Sequence, residues 1–400
     1  MASNVTENAL PGDTKTMQDC YENYIIVDIG ANLTHRKFGK DLDSLIQRAK
    51  DSGVQKIMVT GTSLRASKEA LRLTRIYPGM LYSTAGVQPH DAKSWEEGYM
   101  EELRDVAANP ECVAIGVCGL DYNRDFSPPD VQREVFEKQI QLACELNKPL
   151  LVHERDSHED LLEILDKYKD QLPLVVIHSF TGTAEEAQRY LDKGMYIGLT
   201  GYLCKDKSDT GVRKLLEDGV IPLERLLVET DSPFMYPNTK ASKLPQHVKD
   251  GLTKRSLMFL TRYCSFQRNE PCSLPTIVEM IAAFMKKPPE EVALSTAFNA
   301  LKNRKEFGKL AFNVAEALKL DNHFNKEKKC ASKDLYYYFM KRHSEITLRT
   351  AESTSMQRAI GFNKPQTDIF LLCHHNPQPQ LALSLVPMDR VINQGWVYWG

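Results

Sequence analysis

The chain has 400 residues, of which 42% are hydrophobic and 26% charged, with a formal net charge of −2. Those values are ordinary for a globular protein, and the length suits one large α/β domain with an appendage, or two domains. The near-neutral balance excludes a global basic field that would coat the chain with nucleic acid, although bound cations can supply positive charge locally to a nucleic-acid substrate.

The first residues, MASNVTENALPGDTKTMQDCYEN, are polar and acid-bearing, which argues against a signal or transit peptide. The nine cysteines are scattered without a CxxC pair, a pattern of reducing compartments rather than of a disulfide frame. No apolar run approaches the roughly 20 residues that cross a bilayer, so the expected setting is cytoplasmic or nuclear, with no membrane partner.

In chain order, candidate strands are YIIVDI (24–29), KIMVT (56–60), LYSTAG (81–86), VAIGV (113–117), PLLVH (149–153), LVVIH (174–178), MYIGL (195–199) and LLVET (226–230). Helical patterns alternate with them. In DVQREVFEKQIQLACELN (130–147), Val131, Val135, Phe136, Ile140, Leu142, Ala143 and Leu146 keep near-helical spacing. TAEEAQRYLDKG (183–194) opens on a capping-box pair, Thr183 and Glu186, and ends on the helix-stopping Gly194. Short apolar strands without clean alternation suit a sheet buried on both faces. Eight β–α repeats over roughly 200 residues predict an α/β protein with a (β/α)8 TIM barrel. The absence of GxGxxG after the first strand argues against a nucleotide cofactor.

Further helices are expected over 273–287 and 289–307, closing the barrel. The predicted organisation is a flexible segment over 1–22, the barrel over 23–309 and a C-terminal extension over 310–400. The extension reads as partly helical and then irregular, with a turn-rich HHNPQPQ at 374–380.

Active sites of such barrels lie at the carboxyl ends of the strands. The first strand carries Asp28 and is followed by Gly30 and Asn32; the third runs into Gln88, His90 and Asp91. The fifth ends at His153 with Arg155 beyond, the sixth at His178, and the eighth in Glu229, Thr230 and Asp231. Any one of these is explained as a core or turn residue. Two imidazoles and a carboxylate from strands five, six and eight converge only in a closed barrel, and they suit a catalytic divalent ion. His153, His178 and Asp231 are the candidate ligands. Asp231 is also the candidate base for a metal-bound water, and the Arg155 guanidinium suits a phosphate.

At these motifs the sequence resembles the TatD family of metal-dependent deoxyribonucleases, from about Tyr24 to Gly308. The matching stretches include VDIGANLT, STAGVQPHD (83–91), AIGVCGLDYNRDFSPPDVQ (114–132), LVHERDSHE (151–159), VIHSFTGT (176–183), LLVETDSPFMYP (226–237) and RNEPCSLP (268–275). The resemblance implies a hydrolase that uses up to two divalent ions, usually magnesium, to trim DNA from the 3′ end. It gives His153, His178 and Asp231 as metal ligands and Asp231 as catalytic. Gln88, His90, Arg155 and Arg268 match positions near the substrate, and Glu270 a supporting position. Members of the family are linked to DNA repair and to DNA degradation.

Two positions depart from the family's pattern, Val117 and Gln88, and one stretch follows a subgroup of it. Gly30 and Asn32 stand where other members have a His-x-His pair, as in one subgroup of the family. Where the family reads GECGLD, with a glutamate tying the metals together, this chain has Val117. Where the family reads GVHPHD, it has Gln88, which bonds phosphate but moves no proton at neutral pH. Cys118 is a poor magnesium ligand, and strand alternation points it away from residue 117. Three readings follow: a deoxyribonuclease, impaired at Val117; an inactive barrel that binds nucleic acid; and a small-molecule hydrolase on the same fold.

Overall fold

The computed structural model describes residues 24–124, 126–206, 210–301, 346–349 and 370–373. It divides into two units, Ile25–Leu301 and a second made of Met1–Tyr24 with Lys302–Gly400.

The first unit is the predicted barrel. Its strands are β1 (Ile26–Ala31), β2 (Val54–Val59), β3 (Leu81–Ala85), β4 (Cys112–Asp121), β5 (Leu150–Arg155), β6 (Val175–His178), β7 (Tyr196–Leu199) and β8 (Leu226–Val228). They pair in parallel in sequence order. The segment after β8 returns to β1. Ser232 bridges Ala31, the Asp231 N–H donates to the Gly30 carbonyl at 2.8 Å, and the Asn32 N–H donates to the Ser232 carbonyl at 2.8 Å. Strands β1, β6 and β8 are buried throughout, as a sheet covered on both sides requires.

One helix follows each of the first seven strands: α1 (Leu42–Asp51), α2 (Leu64–Ile76), α3 (Tyr99–Ala107), α4 (Pro129–Leu146), α5 (His158–Lys167), α6 (Ala184–Asp192) and α7 (Val212–Glu217). After β8 come α8 (Gln246–Asp250), α9 (Lys254–Tyr263), α10 (Leu274–Met285) and α11 (Pro289–Ala300). Helix α11 packs across β1 and β8 and so covers the seam of the barrel. The Asn299 amide fastens it there, donating to the carbonyls of Leu223 and Leu226 at 2.9 and 2.8 Å. The capping box of α6 forms as its sequence predicts, with Thr183 and Glu186 exchanging side-chain-to-backbone bonds. Among the described residues no helix is long and apolar enough to cross a membrane.

The largest difference from the sequence reading is in β4, which runs to Asp121 instead of ending at residue 117. Glycines usually weaken strands, so GVCGLD reads as an exit. Here they permit the strand to continue. Gly116 and Gly119 take φ of +132° and +124°, and a Cβ at 119 would meet the His153 carbonyl oxygen at 1.9 Å. The pairing with β5 slips between Gly116 and Cys118, leaving Val117 as the extra residue with its N–H on the Gly61 carbonyl at 2.8 Å. Strand alternation therefore does not set the relative directions of Val117 and Cys118. Strand β5 likewise extends past His153 to Arg155.

In the second unit, β9 (Ile346–Arg349) and β10 (Phe370–Cys373) pair antiparallel. The expected flexible N-terminal segment, the end of the 289–307 helix, the helical part of the extension and HHNPQPQ lie outside the described residues.

An ion network secures α1 to the segment before α10. The Arg48 guanidinium bonds both oxygens of buried Glu270, at 2.8 and 3.0 Å, and reaches Asp41 at 3.1 Å. Removing one partner of a buried pair strands the other, at a cost of about 3–5 kcal/mol, whereas exposed pairs contribute roughly 0–1 kcal/mol. Glu270→Ala is therefore expected to lower the urea midpoint of barrel unfolding strongly. Glu69→Ala, which breaks the exposed Glu69–Arg72 pair, is expected to leave that midpoint nearly unchanged. Equal midpoints for the two variants would refute a structural role for the network.

Candidate metal centre

Three side chains from neighbouring strands meet at the mouth of the barrel. Asp121 is the last residue of β4, His153 lies on β5 opposite Gly119, and His90 sits in the 3-10 turn that follows β3. His90 Nε2 and His153 Nε2 approach Asp121 Oδ2 at 2.8 and 3.0 Å. The other carboxylate oxygen, Oδ1, accepts the backbone N–H groups of Asn123 and Arg124, each at 3.0 Å. Burial pushes the Asp121 carboxyl up, but its bonds to the two imidazoles outweigh this and hold it far below the usual carboxylate range. Burial lowers the pKa of His153, with Asp121 opposing the shift.

Asp121 is held by its neighbours at backbone level as well. Gln132, buried on α4, accepts from the Asp121 N–H at 2.8 Å and donates to the Asp121 carbonyl at 3.0 Å. One turn pair further along, buried Gln139 does the same for Val87, at 2.8 and 3.0 Å, just before the His90 turn. One helix thus positions two of the three converging side chains.

A second group adjoins the first, because His153 and His178 are register partners on β5 and β6. His178 Nδ1 is hydrogen-bonded to Glu229, which also accepts the Ser179 N–H at 2.6 Å. His178 Nε2 faces Asp231 Oδ1 at 3.7 Å. Burial opposes the charge on His178, yet Glu229 and Asp231 raise its pKa to about 9. Burial raises Asp231 to about 6, with His178 opposing. Asp28 lies fully buried beneath, bonded to the Gly30 and Thr230 N–H groups and the Thr230 hydroxyl, and burial raises it to about 7. Gly30 leaves room for the Glu229 carboxylate: a Cβ there would come within 2.2 Å of Oε2 and 3.2 Å of the His178 ring. A side chain at residue 30 and Glu229 in its present place exclude one another.

The remaining sequence candidates are spread around this centre. Arg155 ends β5, exposed, and its charge reaches Tyr202. Gln88 bonds Asp91 at 2.9 Å and its N–H bonds the Thr62 carbonyl at 3.0 Å. Arg268 bonds both oxygens of Asp41, at 2.7 and 2.9 Å, and pairs with Glu270 at 3.1 Å. Val117 is buried. Cys118 is fully buried, and burial pushes its thiol far up, which leaves it unsuited to metal binding. Sequence reasoning quoted Asp121 in a motif without giving it a role, and it missed both glutamines. A longer β4 would have exposed the first; buried glutamines inside an apolar helix face were the signal for the others.

The donors fit a divalent cation. One ligand atom from each of His90, Asp121 and His153 lies within 4.8 Å of the others, a set that leaves coordination positions open. With Nδ1 of His178 turned to a carboxylate, Nε2 is the nitrogen that faces Asp231, an arrangement also found behind metal-ligating histidines. A bound cation would replace the proton that Glu229 and Asp231 otherwise hold on His178.

Barrel and donor set together define a metal-dependent hydrolase. A profile of TatD related DNases matches residues 27–303. The 3′-5′ ssDNA/RNA exonucleases TatD of Shigella flexneri and Escherichia coli K12 are 42% and 41% identical over 272 residues, 68% of this chain and 96% of each relative. The crystal structure of a TatD family hydrolase from Entamoeba histolytica superposes with a TM-score of 0.60 at 27% identity, covering 70% of this chain and 97% of that one. A TatD homologue from Escherichia coli K12 gives 0.58 at 25%, covering 69% and 96%. The chain belongs to the TatD related DNase family and is a hydrolase of the nuclease class.

Gln132→Leu would remove the side-chain partner of both backbone groups of Asp121. Disturbed support of this kind typically weakens metal affinity about 10–100-fold. Calorimetric titration with manganese is expected to show that loss in Gln132→Leu; unaltered affinity would mean that α4 does not position Asp121.

Proposed function

We propose that this barrel hydrolyses phosphodiester bonds of DNA, trimming single strands from the 3′ end, with one or two divalent ions, magnesium first among them. The observation that carries the reading is the meeting of His90, Asp121 and His153 with His178 on the strand next to His153, and with Asp231 facing His178 from beyond β8. The names of the bacterial exonucleases supply the polarity and the single-stranded substrate. We assign His90 to the metal group rather than to the substrate because its Nε2 points at Asp121.

A divalent ion held by His90, Asp121 and His153 would acidify a water and offset charge on phosphate oxygens. The protein's own groups do the rest. Asp231, with a pKa near 6, is mostly ionised at neutral pH and basic enough to take a proton. Glu229 fixes the His178 ring, so that Nε2 faces Asp231. Arg155, exposed at the end of β5, is suited to pair with a phosphate. We assign Gln88, and Arg268 within the Asp41 network, to the path of the strand.

Val117 favours a second reading, a barrel that binds nucleic acid without turnover, since a buried valine supplies no lone pair where relatives of the resemblance have a carboxylate. Incubation of 5′-labelled single-stranded DNA with magnesium or manganese separates the two. A ladder of shortened products that disappears in Asp231→Asn is the expected result. A silent natural chain that gains activity in Val117→Glu would overturn the first reading in favour of the second.

A further inference from the structure

Five large hydrophobic side chains are exposed among the described residues: Ile76, Phe126, Phe234, Met258 and Phe266. Isolated exposed apolar residues are normal, but the three phenylalanines are not scattered. Phe126, 56% exposed, is in the loop after β4, five residues beyond Asp121. Phe234, 48% exposed, is in the loop after β8, three residues beyond Asp231. Phe266 packs on Tyr236 of that same loop, ring centroids 4.9 Å apart. Ile76 and Met258 are on helices α2 and α9.

Each of the first two rings is joined to the centre. Phe126 meets the His90 ring edge-on, centroids 5.4 Å apart at 90°, and His90 is bonded to Asp121. The Phe234 N–H donates to the Asp231 carbonyl at 2.8 Å, while its ring meets His35, from the loop after β1, at 5.7 Å and 82°. Their supports are fixed. Buried Ser127, next to Phe126, donates to the His90 carbonyl at 2.9 Å and accepts from the Lys93 N–H at 3.1 Å. Asn269 N–H holds the Pro233 carbonyl at 3.0 Å. Rings held in this way, with about half of each residue exposed to solvent, lose little freedom when a flat partner stacks on them. The charges of Arg124 and Lys205, both exposed, also reach Asp231, so cations stand beside the rings at the mouth.

We infer that Phe126 and Phe234 are stacking platforms for unpaired nucleobases, one on each side of the metal centre, so that the strand is gripped by its bases as well as by its phosphates. The inference rests on the proposed nuclease reading, and it assigns the single-strand preference to particular side chains. A π-face accepts any base, so the grip is indifferent to sequence, and duplex bases, already stacked, cannot use it.

The test is fluorescence-anisotropy binding of a labelled single-stranded DNA in the presence of calcium or magnesium. An oligonucleotide with abasic sites at its 3′-terminal three positions serves as the second ligand. Phe126→Ala and Phe234→Ala are each expected to weaken binding of the intact strand about tenfold and to have no effect on the abasic one. Phe126→Trp should restore affinity, and Ile76→Ala, far from the loops, should bind as the natural chain does. Equal affinity of the natural chain for intact and abasic strands, or equal losses on both in the alanine variants, would overturn the platforms. Failure of the natural chain to bind either strand would overturn the platforms and the nucleic-acid reading together. Base-dependent binding without product formation would leave the platforms standing and defeat only the hydrolytic reading.

Discussion

Everything at the mouth of this barrel depends on the closure between β8 and β1. β8 is only three residues long, and beyond it the chain is carried across the seam by the Asp231-to-Gly30 and Asn32-to-Ser232 bonds. Beneath these, the buried Asp28 carboxylate gathers the N–H groups of Gly30 and Thr230 and the Thr230 hydroxyl. A buried carboxylate survives only where such donors replace water. The bonds that close the sheet also orient the segment Glu229–Ser232. Asp231 is held at φ +48° there, and Glu229 passes into the space that a side chain at residue 30 would occupy.

Closure turns a linear arrangement into a convergent one. His90, Asp121, His153, His178 and Asp231 are distributed along most of the barrel's sequence, yet they stand at the strand ends around one rim. Their electrostatics are balanced pair by pair. Asp121 faces two imidazoles, and His178 lies between Glu229 and Asp231. Glu229 and Asp231 stabilise protonated imidazole at His178 when no cation is present, and each group offers lone pairs to a cation when one arrives. Exchange of protons for metal is thus built into the fold, and metal affinity is coupled to pH.

The barrel was legible because its signals are local. Eight apolar runs of strand length, the Thr183–Glu186 capping box and the spacing on α4 needed no knowledge of distant contacts. The strand-end histidines were legible for the same reason. Asp121 was not, because the glycines that let β4 press against β5 have the same sequence signature as glycines that end a strand. The Arg48–Glu270 pair joins residues 222 positions apart, and no periodicity reports such a contact. Gln132 and Gln139 face inward because the backbone of two loops needs partners there, a demand visible only once the loops are placed. Likewise, an exposed phenylalanine in a loop has no meaning until its neighbours are known. Phe126 acquires one from His90, and Phe234 from Asp231.

The central claim is that this rim, with valine at residue 117, holds divalent cations through the side chains named. Anomalous diffraction from crystals soaked in manganese tests it most directly. The account predicts anomalous density within coordination distance of His153 and Asp121, with Asp121 drawn from the imidazoles onto the ion, and further density beside His178 Nε2 and Asp231. A manganese-saturated crystal with no density at the rim, and with Asp121 still bonded to both histidines, would contradict it.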